Sequence, residues 1–178
     1  MRISDRLKKI ADLVAEGSYV CDVGTDHGYV PIYLLRENKI KRAIAVDLSP
    51  GALRKAEENA IFFHLAEEPL DKGTFKKPVF AKSDIIEFRL SDGLSDVNPG
   101  EADCIIIAGM GGILMRKILD AGLETVMAAK ELILSPHRNP ELIYEFIDQN
   151  DFSIVYDEEI FDKGKKYKII KAERSKIG

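Results

Sequence analysis

Acidic residues and glycines are closely spaced in the segment DVGTDHGY at residues 22–29, which continues a short apolar run. Gly24 and Gly28 are separated by three residues, and Asp26 stands where the dinucleotide-binding pattern G-x-G-x-x-G has its second glycine. Asp22 and Asp26 would repel a pyrophosphate, at about 1 kcal/mol or more for each close charge pair. The same carboxylates attract the sulfonium and ammonium groups of S-adenosylmethionine (SAM). The loop therefore favours a SAM site over a dinucleotide site, although an ordinary tight turn would also use its glycines.

A further carboxylate, Asp47, ends the next apolar run at 43–46. A carboxylate at this place can accept hydrogen bonds from both ribose hydroxyls of an adenosine. That role suits SAM and NAD equally, and the alternative role for Asp47 is to cap the helix that Ser49 and Pro50 open. Combined with the loop at 22–29, Asp47 predicts an adenosine-containing cofactor, and we include Leu48 in this predicted site.

Ser91, Asp92 and Gly93 follow the third predicted strand, where the adenine ring of such a cofactor would lie. Asp92 can accept a hydrogen bond from the exocyclic amine of adenine. The alternative is a simple Asp-Gly turn, which is common in proteins.

Three glycines in four residues follow the fourth predicted strand, in the segment Ala108-Gly109-Met110-Gly111-Gly112. Each glycine costs about 1 kcal/mol of extra conformational entropy when the loop is ordered, so a mere turn would be a poor use of them. A loop without bulky side chains can instead lie close to a methyl group that is being transferred. We therefore predict that Gly109, Met110 and Gly111 form a methyl-transfer loop.

Strands and helices alternate along the chain, which predicts right-handed βαβ units in one doubly wound domain over 1–178. The predicted fold is α/β and Rossmann-like, with helices on both faces of a seven-stranded, mostly parallel sheet. A first helix is expected to end near Gly17, and 67–83 is expected to form a long loop. The strands are predicted at 19–23, 43–46, 85–90, 104–108, 131–135, 152–156 and 167–172, the last being antiparallel.

Composition excludes several classes of protein. The chain has 178 residues, of which 46% are hydrophobic and 31% charged, as in ordinary globular proteins. No apolar run reaches the ~18 residues of a membrane span, and no signal peptide is evident, so a cytoplasmic protein without membrane contact is expected. Cys21 and Cys104 lie in apolar runs and are expected to be buried thiols. The formal net charge is −4, while 162–178 has seven basic and two acidic residues, a pattern more typical of a solvated terminal strand than of a phosphate-binding surface.

The sequence resembles the bacterial tRNA (adenine-22-N1)-methyltransferase (TrmK) family over almost its whole length. The matching segments are ISDRL at 3–7, the loop at 22–29, Asp47 with SPGAL at 49–53, DGL at 92–94, IAGMGG at 107–112 and LIL at 132–134. The resemblance implies a class I SAM-dependent enzyme that methylates N1 of adenine 22 in tRNA, without a metal. It also implies that the cofactor is held by Asp22, Gly24, Asp26, His27, Gly28, Tyr29, Asp47, Leu48, Ser91, Asp92, Gly93, Ala108 and Gly109.

The expected partner is tRNA, bound by a monomer. Candidate substrate contacts are Arg6, Met110, His137 and Arg138, with Lys8 and Lys9 of the first helix as further phosphate contacts. His137 and Arg138 stand where the family has Gln-Pro-Asn, and an ordinary surface role is the alternative for both. The family continues into a helical C-terminal domain, which is expected to be absent because this sequence stops at Gly178.

Two other functions fit the same sequence. A SAM-dependent enzyme could act on a small molecule or a protein, which the acidic body favours slightly. A non-catalytic module could also bind the cofactor and use an exposed apolar surface for a partner.

Overall fold

The computed structural model describes residues 1–69, 73 and 83–175 as strands alternating with helices. The strands are β1 (Tyr19–Val23), β2 (Arg42–Asp47), β3 (Ile86–Leu90), β4 (Cys104–Ala108), β5 (Glu131–Ser135), β6 (Phe152–Asp162) and β7 (Lys165–Arg174). The helices are α1 (Asp5–Leu13), α2 (Tyr29–Arg36), α3 (Pro50–Phe62), α4 (Gly112–Ala121), α5 (Leu123–Ala128) and α6 (Glu141–Gln149).

The strands form one sheet in the order β3-β2-β1-β4-β5-β7-β6. The first five strands pair in parallel, and β7 is antiparallel to both of its neighbours. This confirms the predicted Rossmann-like α/β fold. Successive strands are added on one side of β1 up to β3 and on its other side from β4 onward. Open parallel sheets bind ligands at such a reversal of strand order, which lies here between β1 and β4.

The sheet is buried on both faces because its central strands consist mainly of apolar residues. Alternate side chains along β4 illustrate this: Ile105 and Ile107 pack toward α4 and α6, whereas Cys104 and Ile106 pack toward α1, α2 and α3. Burial of these side chains is worth about 25 cal/mol per Å² of apolar surface. The core therefore fixes the positions of the central strands, including β1 and β4.

Serine side chains cap two of the helices, and the one at Ser49 confirms the helix start predicted there. Ser4 accepts a hydrogen bond from the backbone N–H of Leu7 at the start of α1, and Ser49 accepts one from Ala52 at the start of α3. Pro50 occupies the first turn of α3, where its missing N–H costs nothing.

Several predicted boundaries are wrong. Helix α1 ends at Leu13 rather than near Gly17, because Val14 adopts an extended backbone and the N–H of Ala15 donates to the buried carboxylate of Glu131. Helix α5 lies within a region for which we predicted no element. Strands β6 and β7 are longer than predicted, since their outer halves are exposed and charged and lack the apolar alternation of buried strands. The predicted loop at 67–83 lies mostly outside the described residues.

The basic C-terminal segment belongs largely to β7. Lys168 pairs with Asp157, and Lys171 pairs with Glu131 and Glu173 at 2.7 and 3.0 Å. These two lysines are paired with carboxylates within the sheet, so the strand is not simply solvated as the sequence suggests.

Both thiols are buried, as predicted. Burial raises the pKa of Cys21 and that of Cys104 far above the usual range, so neither thiol is a nucleophile. Within residues 1–69, 73 and 83–175, no helix is long and apolar enough to cross a membrane. The same residues contain no cluster of three or more histidines, cysteines or carboxylates that would hold a metal ion.

Candidate functional site

Five predicted segments meet at the carboxyl edge of the sheet, since β1 to β5 are parallel and end side by side. They are the loops that follow β1, β2, β3, β4 and β5. A cleft of about 360 Å³ opens at this edge beside β1 and β4. Its lining comprises Arg6, Leu7, Asp22, Gly24, Thr25, Asp26, His27, Tyr29, Val30, Ala108, Gly109 and His137.

Asp22 lines the cleft near the end of β1 and is 5% exposed. Burial raises the pKa of its carboxyl to about 6, although the hydroxyl of Thr25, which donates to Oδ2 at 2.7 Å, favours the charged form. The charge of Asp47 also raises this pKa. A carboxylate has about four acceptor positions, so Asp22 has capacity to bind a cation that enters the cleft.

Asp47 and the loop after β1 are linked by hydrogen bonds. The backbone N–H of Asp26 donates to Oδ2 of Asp47 at 3.1 Å, and that of Ser49 donates to Oδ1 at 2.9 Å. Ser49 itself caps α3, so capping does not explain Asp47. Each oxygen of Asp47 has a further lone pair, which fits the predicted bidentate role toward two hydroxyl groups.

Gly28 has a packing role. It has a φ of +68°, and a Cβ built on it would lie 3.0 Å from Cβ of Ala56. The glycine therefore lets the start of α2 approach α3, which holds the loop after β1 in place. His27 and Tyr29 flank it with their rings stacked at 5.2 Å and 7°, and both line the cleft.

The loop after β3 forms the turn that we considered as an alternative. Asp92 accepts hydrogen bonds through its carbonyl oxygen from the backbone and hydroxyl of Ser95, while its own side chain is exposed. Ser91 is buried and its N–H donates to the carbonyl of Asp47 at 3.0 Å. Gly93 packs on Ile118, with 3.0 Å between a built Cβ and that side chain. The turn presents Asp92 at the rim, next to the end of β2.

Leu48 is 68% exposed at the same rim, directly after β2. An exposed leucine beside Asp47 offers an apolar surface to a planar ring. Leu48 and Asp92, among the predicted contacts with adenine, are thus exposed to solvent in the free protein, whereas Ser91 is buried.

The loops after β4 and β5 are joined by three backbone hydrogen bonds. The N–H of Gly109 donates to Ser135 at 3.4 Å, that of His137 to Met110 at 2.9 Å, and that of Gly112 to Arg138 at 2.7 Å. These bonds fix the position of the predicted methyl-transfer loop relative to the loop after β5.

The glycines of this loop have different roles. A Cβ on Gly112 would lie 2.1 Å from the carbonyl oxygen of Asn139, so Gly112 permits the contact between the two loops. A Cβ on Gly109 or on Gly111 would have no atom within 4 Å. The sequence shows three equivalent glycines, and the packing role of the third was not predictable from it.

Met110 reaches from the loop after β4 to the loop after β1. A Cβ on Gly24 would lie 2.9 Å from the terminal methyl of Met110, so this side chain covers the loop after β1. The space beside Gly109 is open, as the predicted methyl-transfer role requires.

The predicted substrate residues are only partly brought together. Arg6 and His137 both line the cleft, whereas Arg138 and Met110 are not among its lining residues. Lys8 is paired with Asp12 at 2.9 Å, and Lys9 lies over the ring of Tyr156 at 4.6 Å.

Tyr167 is a residue of this region that we did not predict. It lies on β7, far along the chain from every predicted motif, and it contacts Arg6 and His137. No local sequence signal connects it with the cleft, because β7 reaches this position only through its insertion between β5 and β6.

The fold and the cleft at the reversal between β1 and β4 are those of a class I methyltransferase domain. The family model described as "Methyltransferase domain" matches residues 3–170. The structure of Streptococcus pneumoniae Sp1610 in complex with S-adenosyl-L-methionine is 32% identical, with a TM-score of 0.80 over 99% of this chain and 75% of that chain. The chain belongs to the methyltransferase domain family and, within it, to the tRNA (adenine-22-N1)-methyltransferase (TrmK) family.

Two further relatives have named activities or ligands. The tRNA (adenine(22)-N(1))-methyltransferase of Bacillus subtilis is 30% identical over 177 residues, which cover 97% of this chain and 66% of that relative. The structure of M. capricolum TrmK with S-adenosyl-homocysteine (SAH) is 25% identical, with a TM-score of 0.79 over 98% of this chain and 70% of that chain.

Proposed function

We propose that this chain binds SAM and transfers its methyl group to N1 of adenine 22 in tRNA. The observation that carries the proposal is the position of Asp22 and Asp26 in a cleft at the sheet's reversal point. These carboxylates suit a cationic cofactor and oppose a pyrophosphate. The named activity of the Bacillus subtilis relative and the SAM-bound Streptococcus pneumoniae relative support the same function.

In this proposal the cofactor lies along the rim from β1 to β3. Asp22 and the loop from Gly24 to Tyr29 hold the methionine part, and Asp47 accepts from the ribose hydroxyls. Leu48, Ser91, Asp92 and Gly93 surround the adenine ring. Ala108 and Gly109 line the side of the cleft toward which the methyl group points.

The chemistry requires little of the protein beyond alignment. SAM supplies an electrophilic methyl group on a sulfonium. Adenine N1 has no proton and attacks with its own lone pair, so a bond forms between N1 and the methyl carbon as the carbon–sulfur bond breaks. The sulfonium becomes a neutral thioether and the base becomes a cation, so no general base is needed. Gly109 and Gly111 contribute by leaving room for a linear approach.

Transcripts of a tRNA with adenine or guanine at position 22 test the substrate assignment. We expect this chain, with SAM, to produce 1-methyladenosine in the first transcript and none in the second, measured by mass spectrometry of nucleosides. Base pairing hides N1 of an adenine within a duplex. Such an adenine is therefore expected to react only after it is flipped out of the duplex. Methylation of a protein or small molecule, with both transcripts unmodified, would contradict the proposal.

Replacement of Asp47 tests the cofactor geometry. We expect Asp47→Ala to weaken SAM binding about 10- to 100-fold, because hydrogen bonds to a charged acceptor are worth about 1.5–3 kcal/mol. Asp47→Asn retains one acceptor and should have a smaller effect. Titration calorimetry of both variants measures this, and equal affinity of wild type and Asp47→Ala would remove Asp47 from the site.

We also propose that residues 1–178 form one cofactor-binding domain and that the chain is a monomer in the cytoplasm. The domain assignment rests on one sheet covered by helices on both faces. Sedimentation over a range of protein concentrations tests the monomer, and a mass that doubles with concentration would contradict it.

A further inference from the structure

Arg6 and His137, which both line the cleft, contact Tyr167, and the three residues come from separate elements. Arg6 lies on α1, His137 follows β5, and Tyr167 lies on β7. The guanidinium carbon of Arg6 is 4.7 Å from the centre of the Tyr167 ring, and the ring centres of His137 and Tyr167 are 5.4 Å apart. Tyr167 therefore supports the other two side chains, and we call the three residues the Arg6 corner.

The Arg6 corner has positive charge without a paired carboxylate. Nη1 of Arg6 is buried and has no hydrogen-bond partner among the described residues. Burial, the charge of Arg6 and the charge of Lys165 together hold the pKa of His137 below its usual value. Two cations thus act on the imidazole of His137, and Arg6 and Lys165 form no ion pair with any carboxylate in 1–69, 73 and 83–175.

The cleft therefore has charges of both signs in its lining. The lining includes the carboxylates of Asp22 and Asp26 and the guanidinium of Arg6, together with His137. A buried N–H of a guanidinium that lacks an acceptor is costly. An anionic ligand that enters the cleft would recover this cost. Guanidinium groups suit phosphate oxygens, which they bind through parallel hydrogen bonds.

We propose that the Arg6 corner binds a phosphate of the nucleotide whose base is methylated. Arg6 donates from Nη1 to a phosphate oxygen, Tyr167 holds the guanidinium in place, and His137 and Lys165 lie beside the same anion. This inference rests on the proposed function, since it requires a nucleic-acid substrate. The proposal assigns phosphate binding to Arg6 and not to Lys8 or Arg138. Lys8 is already paired with Asp12, and Arg138 lies outside the cleft.

Nucleotide binding to the SAH-saturated protein tests the proposal without catalysis. The probes are adenosine, 5′-AMP and 3′-AMP, titrated by NMR, since a phosphate on either side of the nucleoside has the same chemistry. We expect at least one of the two monophosphates to bind about tenfold more tightly than adenosine. Arg6→Gln should remove this preference and leave the affinity for adenosine unchanged.

Lys8→Gln is the matched control, because it removes one positive charge from the same helix outside the cleft. It should retain the preference for the monophosphate. Tyr167→Phe should also retain it, whereas Tyr167→Ala should lose it as Arg6→Gln does. Arg6→Lys keeps the charge and should restore part of the preference.

Equal affinity of the wild type for adenosine and both monophosphates would overturn the proposal, and so would the absence of any binding. Retention of the preference in Arg6→Gln would overturn it as well. None of these results affects the proposed function, which the tRNA transcripts test independently. Formation of 1-methyladenosine by a wild type without phosphate preference would reject the Arg6 corner alone.

Discussion

Asp22→Asn is expected to weaken SAM binding about 10- to 100-fold and, at the same time, to stabilise the free protein. Binding is lost because a charged acceptor that faces the cofactor's ammonium becomes neutral. Stability is gained because burial raises the pKa of Asp22 to about 6, so the fold holds a buried charge near neutral pH. Asn keeps an acceptor for the hydroxyl of Thr25 and has no charge to bury.

The stability effect depends on pH in a defined direction. A carboxyl whose pKa is raised by folding stabilises the fold while it is protonated, and this contribution is lost as the pH rises from about 4 through about 6. Near pH 7.5, the free energy of unfolding of Asp22→Asn should therefore be about 1–3 kcal/mol higher than that of the wild type. Near pH 4.5 the difference should be much smaller.

Urea unfolding of the free protein at both pH values measures the change in stability. Titration calorimetry measures the affinity for SAM. Asp26→Asn is the matched control for stability, because Asp26 is an exposed carboxylate in the same loop. Its φ of +51° is one that Asn also tolerates. An Asp22→Asn protein that is less stable than wild type near pH 7.5 would contradict the electrostatic description of this site.

Gly112→Ala is expected to destabilise the protein by about 3 kcal/mol or more, which lowers the melting temperature by roughly 10 °C. The new Cβ would lie 2.1 Å from the carbonyl oxygen of Asn139 and 2.8 Å from that of Arg138. Both atoms belong to the backbone, so the loops after β4 and β5 would have to separate. Methyl transfer should fall with the loss of the loop's fixed position.

Gly111→Ala is the matched control for this prediction. A Cβ on Gly111 has no atom within 4 Å, so the substitution should change the melting temperature by no more than about 2 °C. Thermal melts of the two variants, compared with wild type, provide the measurement. Equal melting temperatures for both would show that the two loops are not packed as described.

The fold was predictable where apolar runs alternate with strong helix starts. Strands such as Cys104–Ala108 are apolar on both faces, and Ser49-Pro50 marks a helix start by itself. The hairpin of β6 and β7 was harder, because its outer half consists of exposed, charged residues that have no core to face. The end of α1 depends on Glu131, which is distant in sequence.

The candidate site was predictable to the extent that it follows strand ends. Asp22, Asp47 and Gly109 come directly from strands whose order places them at one edge. Tyr167 and the contact of Gly112 with Asn139 were not predictable, since both arise from strands and loops that meet only in three dimensions. The different roles of Arg6 and Lys8 were likewise not predictable, because they depend on which side chains each residue contacts in the folded protein.

Titration calorimetry of the wild-type chain with SAM and with NAD tests the central claim most directly. That claim is that the acidic cleft at the reversal between β1 and β4 selects a cationic cofactor without phosphate. We predict saturable, stoichiometric binding of SAM and no measurable binding of NAD under the same conditions. Saturable binding of NAD without binding of SAM would contradict the claim.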